Sequence, residues 1–179
     1  LNTLTKQITE NQILPSKQMT EGFDEMMEGK ASPVQMAAFL IALKMRGEAP
    51  SDIAAGAGSL RRHALTLDAP DNAMDIVGTG GDGIGTYNIS TATALVLAGA
   101  GIPIAKHGNK AVSSKSGAAD VLTALGINLD CSEEALSEAL TAAKIVFLMA
   151  PRHHSAMRHV GPIRAELGVR TIFNLSLIH

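Results

Sequence analysis

The sequence has very few aromatic residues and a single cysteine. Of its 179 residues only 3% are aromatic and none is tryptophan, whereas 46% are hydrophobic. The core must therefore consist mainly of alanine, leucine, isoleucine, valine and methionine, as is typical of an α-rich or α/β protein. One cysteine excludes an internal disulfide framework and any cysteine-rich metal site. Cys131 precedes a predicted helix start, and we interpret it as a structural thiol.

The chain also lacks a strong net charge and a long apolar run. Its formal net charge is −2, which gives no general reason to bind nucleic acid or an anionic membrane. The N-terminal segment is polar and has no signal-peptide pattern. The least polar stretch, residues 92–105, is interrupted by two glycines and a proline, so it does not predict a membrane span. We expect a cytoplasmic protein without nucleic-acid or membrane partners.

Residues 1 to about 65 are predicted to be helical. Ser32-Pro33-Val34-Gln35 combines an N-cap, a proline at the first helical position and a glutamine three residues after the cap. Pro50 starts a further helix that continues to about His63. We therefore predict a helical domain over residues 1–68, followed by a partial α/β domain over residues 69–179.

The second part of the chain alternates short apolar runs with helical stretches, a pattern typical of a parallel α/β sheet. Four strands are predicted, at 74–77 (MDIV), 102–105 (IPIA), 145–149 (IVFLM) and 171–175 (TIFNL). The predicted helices cover about 90–100, 117–125, 132–143 and 154–167. The predicted fold class is α/β, with a small N-terminal all-helical domain and a parallel sheet that stops after about four strands.

A glycine-rich loop follows the first predicted strand. Residues 78–91, GTGGDGIGTYNIST, contain five glycines, one acid and several hydroxyl groups. Glycines at the start of the loop allow the backbone to approach a pyrophosphate closely. The spacing formally matches a dinucleotide fingerprint, but the loop continues to Gly85 and no acid follows about twenty residues later. No Gly-Lys-Ser/Thr motif is present, so neither an ordinary NAD site nor a Walker A loop is predicted.

Carboxylates are absent from the segment after this loop. No Asp or Glu lies between Asp82 and Asp120, where roughly three or four would be expected from the average composition. The same span contains three lysines, one histidine and many hydroxyl and amide side chains. Cations, hydroxyls and backbone N–H groups at strand ends are suited to a phosphate-rich ligand. Ser90 is a candidate ligand for magnesium shared with a pyrophosphate, while Asp82 is equally suited to a ribose contact and to fixing the loop.

These motifs closely resemble the anthranilate phosphoribosyltransferases. The ordered blocks are GTGGDG at 78–83, NIST at 88–91, KHGN at 106–109, SSKSGAAD at 113–120 and IRAELGVRTIFN at 163–174. The N-terminal helices are also similar to the small helical domain of that family, so the resemblance covers nearly the whole chain. It implies transfer of a phosphoribosyl group from phosphoribosyl pyrophosphate (PRPP) to anthranilate in tryptophan biosynthesis, with Mg²⁺ as cofactor and a homodimer formed through the N-terminal helices.

The resemblance also implies roles for individual residues. Contacts with PRPP are implied for Gly78, Gly81, Asp82, Thr86, Asn88, Ile89, Ser90, Thr91, Lys106, His107, Gly108, Asn109, Lys110, Ala111, Val112, Ser113, Ser114 and Ala118. Contacts with anthranilate are implied for Gly78, Asn109 and Arg164, and Ser90 is the implied metal ligand. No catalytic residue is assigned, because an aromatic amine needs no strong general base. His107 and His154 are as well suited to orienting substrate as to structural hydrogen bonding.

The sequence also departs from this family. The family chain continues beyond Asn174, and its Asp-Glu pair for magnesium lies in that later part. The resemblance therefore implies a fragment with an incomplete metal site and little or no turnover. Two other hypotheses remain: a pyrimidine nucleoside phosphorylase of the same fold, and a non-catalytic remnant that only dimerises. The NIST and KHGN blocks and Arg164 argue against the phosphorylase.

Overall fold

The computed structural model describes residues 1–78, 87–110 and 117–174. These residues form two compact units, one from residues 1–64 and the described residues from His154 onward, the other from residues 65–153. In chain order, the elements are α1 (Asn2–Thr9), α2 (Ser16–Met27), α3 (Pro33–Arg46), α4 (Pro50–Arg62), α5 (Ile89–Gly99), β1 (Ile104–Gly108), α6 (Ala118–Ala124), α7 (Glu133–Ala143), β2 (Ile145–Met149), α8 (Ala150–His153), α9 (Met157–Leu167) and the 3₁₀ helix η1 (Ile172–Asn174).

The first unit is a helical bundle around one apolar core. Phe23 of α2 and Phe39 of α3 are fully buried and meet edge to face, with their ring centroids 5.6 Å apart. The start of α3 confirms the predicted capping box. The Ser32 hydroxyl accepts the Gln35 N–H at 3.3 Å, and the Gln35 side chain accepts the Ser32 N–H at 2.8 Å.

The second unit is a parallel sheet with helices on both faces. β1 and β2 pair from Ile104 opposite Ile145 to Gly108 opposite Met149. Ile104 and Ile145 pack with α5, whereas Val146 on the opposite face packs with Leu136 and Leu140 of α7. Alternating side chains thus bury both faces of the sheet, as the α/β pattern predicts. The predicted fold class is confirmed.

Two of the four predicted strands, at 74–77 and 171–175, are not formed as strands in the described residues. Within the described residues, the MDIV segment makes a single parallel bridge, from Met74 to Ile104. The predicted strand at 171–175 begins instead with a 3₁₀ helix, because the Asn174 side chain accepts the Thr171 N–H at 3.0 Å and its own N–H donates to the Thr171 carbonyl at 2.8 Å. Ile172 is buried in the core of the helical unit rather than in a sheet.

Smaller differences concern element boundaries. The strand predicted at 102–105 begins at Ile104, immediately after Pro103, which has no N–H to donate. The helix predicted from His154 begins at Met157 and is preceded by the short α8. The residues from His154 onward form one compact unit with residues 1–64. Among the helices that the structure describes, none has the length and apolarity needed to cross a membrane.

Candidate functional site

The start of the glycine loop lies against the first turn of α5. A Cβ atom built on Gly78 would lie 3.8 Å from the Ser90 hydroxyl oxygen. Ile89 is the first residue of α5, and the Asn88 carbonyl accepts the Ala92 N–H at 3.0 Å. The N–H groups of the first helical turn therefore lie beside a backbone that carries no side chain at Gly78. Such a helix N-terminus favours an anionic ligand.

The carboxyl end of β1 carries the KHGN segment. Gly108 is the last residue of β1. A Cβ atom there would lie 2.9 Å from ring atoms of Phe147 and 3.3 Å from the Cβ of Ala118. The Asn109 carbonyl accepts the Ala119 N–H at 3.3 Å, and its side-chain oxygen accepts the Lys110 N–H at 2.8 Å. Close packing and the Asn109–Ala119 hydrogen bond hold the end of β1 against the start of α6, where Ala118 is the first helical residue.

Side chains connect β1 to the segment before the glycine loop. The buried Lys106 ammonium donates to the Ile76 carbonyl at 2.6 Å. Asp75 accepts the His107 N–H at 3.2 Å through one carboxylate oxygen and contacts His107 Nδ1 through the other. The residues preceding Gly78 and the residues preceding Asn109 are thus joined at the carboxyl end of the sheet, where α/β proteins bind ligands.

These contacts shift two protonation equilibria. Burial alone would raise the pKa of the Asp75 carboxyl, but the contacts with His107 and the nearby Lys106 ammonium hold that pKa below its usual value. Burial lowers the pKa of Lys106, and the Asp75 carboxylate opposes part of that effect. The cluster therefore joins a stabilised carboxylate to a cation that the protein has largely removed from water.

Arg164 belongs to the other unit, on α9. Its guanidinium carbon lies 5.6 Å from the centroid of the Phe173 ring. Burial lowers the pKa of this guanidinium, and its Nε is buried with no hydrogen-bond partner among the described residues. A buried donor without an acceptor is costly unless a ligand supplies one. A carboxylate is the planar acceptor that a guanidinium binds in bidentate fashion.

The candidate metal ligand is a single hydroxyl, that of Ser90. The parts of the chain at 1–78, 87–110 and 117–174 contain no group of three His, Cys, Asp or Glu side chains able to hold a metal ion. Mg²⁺ often keeps water and is held by one or two protein oxygens together with ligand phosphates. The Ser90 hydroxyl, beside the open backbone of Gly78, fits that mode of binding but forms no metal site by itself.

The structure brings the predicted site residues together only in part. In the second unit it joins Gly78 to the NIST helix start, and the KHGN segment to the residues before the loop. Arg164 and His154 lie in the first unit. Seven predicted residues lie outside the described residues: Gly81, Asp82, Thr86, Ala111, Val112, Ser113 and Ser114.

Sequence reasoning missed Asp75. The MDIV pattern predicts an ordinary strand and assigns no functional role to its acid. A carboxylate within an apolar segment that leads directly into a glycine loop was the available signal, because charged residues are disfavoured in buried strands. Its partner His107 was predicted as a site residue, but nothing in the sequence pattern pairs the two.

Comparisons with known proteins identify the family of the chain. A family model described as the helical bundle domain of a glycosyl transferase family matches residues 2–64, and one described as the a/b domain matches residues 70–179. The anthranilate phosphoribosyltransferase of Rhizobium meliloti is 51% identical over 175 residues, which are 98% of this chain and 52% of that protein. This similarity confirms the resemblance inferred from the motifs.

Two solved structures are similar along almost the whole chain. The anthranilate phosphoribosyltransferase of Thermus thermophilus has a TM-score of 0.88 at 47% identity, and the match covers 96% of this chain and 53% of that one. The Saccharomyces cerevisiae enzyme in complex with PRPP and Mg has a TM-score of 0.86 at 32% identity, covering 97% and 52%. The chain thus spans about half the length of the relatives it matches. Since the two family models together match nearly all of it, the chain belongs to the glycosyl transferase family that combines a helical bundle domain with an a/b domain.

Proposed function

We propose that this chain takes part in the transfer of a phosphoribosyl group from PRPP to anthranilate, which gives N-(5-phosphoribosyl)anthranilate and pyrophosphate in tryptophan biosynthesis. The observation that carries this proposal is the apposition of Gly78 and Ser90 at the start of α5. Because Gly78 has no side chain, its backbone lies open beside the N–H groups at the start of α5. The KHGN segment at the carboxyl end of β1 belongs to the same unit. A pyrophosphate suits this combination of features.

The reaction requires positioning and charge stabilisation more than acid–base chemistry. The amine lone pair of anthranilate forms a bond to C1 of the ribose while the bond from C1 to the pyrophosphate oxygen breaks. Pyrophosphate leaves with the electron pair, and the new secondary amine loses a proton to solvent. Donors directed at the leaving group lower the barrier because negative charge accumulates there. The helix start at Asn88–Thr91 and the KHGN backbone are our candidates for these donors.

The acceptor site is proposed around Arg164. Its buried Nε has no partner among the described residues, and its guanidinium lies over the Phe173 ring. The anthranilate carboxylate would supply the missing acceptor in bidentate geometry. By resemblance, we propose Gly78 and Asn109 as the further anthranilate contacts. The PRPP contacts implied by the resemblance, including those outside the described residues, are proposed with the same roles.

Magnesium is the proposed cofactor. The fit of the Ser90 hydroxyl supports one protein ligand, and the oxygens of the pyrophosphate would supply others. The ion would neutralise charge on the leaving group. A homologue has been solved in complex with PRPP and Mg, which supports the same assignment here.

The helical unit is proposed as the dimerisation unit. An apolar groove of about 740 Å³ runs between α1 and α3, and Val34 and Met45 on its wall are each 79% exposed. Exposed apolar area of this kind is typical of an interaction surface, and a second copy of the chain is the occupant that we propose. The division into a helical domain over 1–68 and an α/β domain over 69–179, and a cytoplasmic location, are proposed as well.

The proposed function is tested by loss of anthranilate fluorescence in the presence of PRPP and Mg²⁺. The 179-residue chain is compared with a hybrid in which the second half of the Rhizobium meliloti relative follows Asn174. We expect turnover by the hybrid and little or none by the chain alone. Arg164→Ala should abolish turnover, whereas Arg158→Ala, an exposed arginine on the same helix, should not. An inert hybrid that is nevertheless folded would contradict the proposal and favour the phosphorylase or the dimerising remnant.

A further inference from the structure

The parallel pairing between the MDIV segment and β1 stops after one residue. The Met74 N–H donates to the Pro103 carbonyl at 2.9 Å, and the Met74 carbonyl accepts the Ala105 N–H at 3.0 Å. In a continued parallel ladder, the Ile76 N–H would donate to the Ala105 carbonyl, and the His107 N–H would then donate to the Ile76 carbonyl. The His107 N–H and the Ile76 carbonyl are instead bonded to side chains.

Asp75 and Lys106 supply the two replacements. The Asp75 carboxylate accepts the His107 N–H at 3.2 Å, and the Lys106 ammonium donates to the Ile76 carbonyl at 2.6 Å. The missing rung of the ladder thus becomes a pair of hydrogen bonds, each with a charged partner, and such bonds are stronger than neutral ones. The Ile76 carbonyl and the His107 N–H thus have charged side-chain partners where the pairing with β1 ends, two residues before Gly78.

The second carboxylate oxygen of Asp75 contacts His107 Nδ1. A carboxylate only accepts hydrogen bonds, so this contact selects the form of the imidazole with a proton on Nδ1. The His107 side chain is 11% exposed, whereas the Asp75 side chain is 31% exposed. One carboxylate therefore fixes both the backbone and the ring of the same residue, in the middle of KHGN.

We propose that Asp75 is a positioning residue that holds the KHGN segment and the His107 imidazole in the geometry that binds the pyrophosphate end of PRPP. The proposal rests on the proposed function for its ligand, but the contact itself is independent of any ligand. Asp75 touches no substrate in this scheme. It acts through His107 and, with Lys106, through the segment that ends at Gly78.

The test uses two readouts on the 179-residue chain. Two-bond ¹H–¹⁵N correlation spectra at about pH 8 report which nitrogen of His107 carries the proton, and calorimetry reports the Kd of PRPP with Mg²⁺. The variant is Asp75→Asn, which keeps the size of the side chain and an oxygen for the His107 N–H, but presents an NH₂ group that favours the Nε2–H form. Asp71→Asn, an exposed acid four residues earlier, is the matched control.

We expect the Nδ1–H form in the parent chain, a change to Nε2–H in Asp75→Asn, and about tenfold weaker PRPP binding, because neutral hydrogen bonds replace charge-assisted ones. Asp71→Asn should change neither. If the His107 tautomer is unchanged in Asp75→Asn, the proposal is overturned at any value of the Kd of PRPP. A changed tautomer with an unaltered Kd would overturn the positioning role and leave a purely structural contact.

Failure of the proposed function has a different signature. If neither the parent chain nor any variant binds PRPP, but the His107 tautomer changes in Asp75→Asn, the assignment of PRPP as the ligand is overturned. The contact between Asp75 and His107 is then still supported. Retention of the parent ¹H–¹⁵N amide spectrum in each variant shows that weaker binding does not come from unfolding.

Discussion

Gly108, the last residue of β1, packs directly against the ring of Phe147, at the centre of β2. A Cβ atom at Gly108 would lie 2.9 Å from two atoms of that ring, closer than real Cβ contacts allow. Phe147 is itself buried against Ala119 and Leu122 of α6. The KHGN segment can therefore pack this closely against the core of the sheet only because Gly108 has no side chain.

This contact predicts the effect of Gly108→Ala on stability. The added methyl group must displace the Phe147 ring or the strand, which should lower the free energy of unfolding by roughly 1–3 kcal/mol. In a Phe147→Leu background the same substitution should cost clearly less, because the ring atoms that oppose the methyl group are gone. Urea denaturation of the four chains checks this double-mutant cycle. An equal cost in both backgrounds would show that the ring is not the obstacle.

Gly78→Ala is predicted to act in the opposite manner, on binding rather than stability. Its Cβ would meet the Ser90 hydroxyl at 3.8 Å, an ordinary van der Waals distance, so the fold should tolerate it. The methyl group would nevertheless occupy the space proposed for the pyrophosphate, and the affinity for PRPP should fall at least about tenfold. Thermal unfolding and PRPP calorimetry measure the two effects.

Gly99→Ala is the matched control for that substitution. Gly99 ends α5, and a Cβ there has no neighbour within 4 Å. Its replacement should leave PRPP binding unchanged. If the Gly78→Ala chain binds PRPP as tightly as the parent, or if both variants lose the same affinity, PRPP does not bind at the start of the glycine loop.

The order of helices and the parallel sheet could be predicted from local patterns. Which of the outer strand-like segments would join the sheet could not. Ser32 with Gln35 and Ser132 before two glutamates are signals that depend on a few neighbouring residues, and both helix starts are present as predicted. MDIV and TIFNL have the composition of strands. Whether they form strands depends on partners elsewhere, and here Asp75 and Asn174 redirect the backbone hydrogen bonds that a strand would use.

The candidate site was predictable to a similar degree. A glycine loop between a strand-like segment and a helix start places Gly78 near Ser90, and the structure has that proximity. The direction of the Lys106 side chain was not predictable, because its acceptor, the Ile76 carbonyl, is available only where the ladder ends. The same holds for the contact between Asp75 and His107, which joins residues 32 positions apart.

The groove between α1 and α3 predicts a dimer that a single charge disrupts. Met45 is 79% exposed on its wall, and Met45→Glu would bury a carboxylate in an apolar interface. Sedimentation should show a dimer for the parent chain and a monomer for this variant. Leu125→Glu, which changes a leucine that is 65% exposed in the other unit, should remain dimeric. A monomeric parent, or a dimeric Met45→Glu chain, would contradict the proposed partner surface.

The lowered pKa of Asp75 makes a prediction about stability and pH. Its folded-state pKa lies below the usual 3.8 because of His107 and Lys106, so the folded state binds the proton less readily than the unfolded state. The ionised carboxylate therefore contributes stability that is fully present above pH 3.8 and is lost as the pH falls through the folded-state value. The difference in unfolding free energy between the parent chain and Asp75→Asn should accordingly be constant near neutral pH and shrink in strong acid.

The same balance of forces predicts how the pKa responds to substitution. Burial is the largest single influence on Asp75 and acts to raise its pKa, while His107 supplies the main opposing contacts. His107→Ala should therefore move the titration midpoint of the Asp75 carboxyl, followed by its ¹³C chemical shift, upward from the parent value. Lys110→Ala removes an exposed cation three residues after His107, and should leave the midpoint in place. A midpoint that stays fixed in His107→Ala would show that the imidazole does not hold the carboxylate, and that burial and Lys106 alone set its charge.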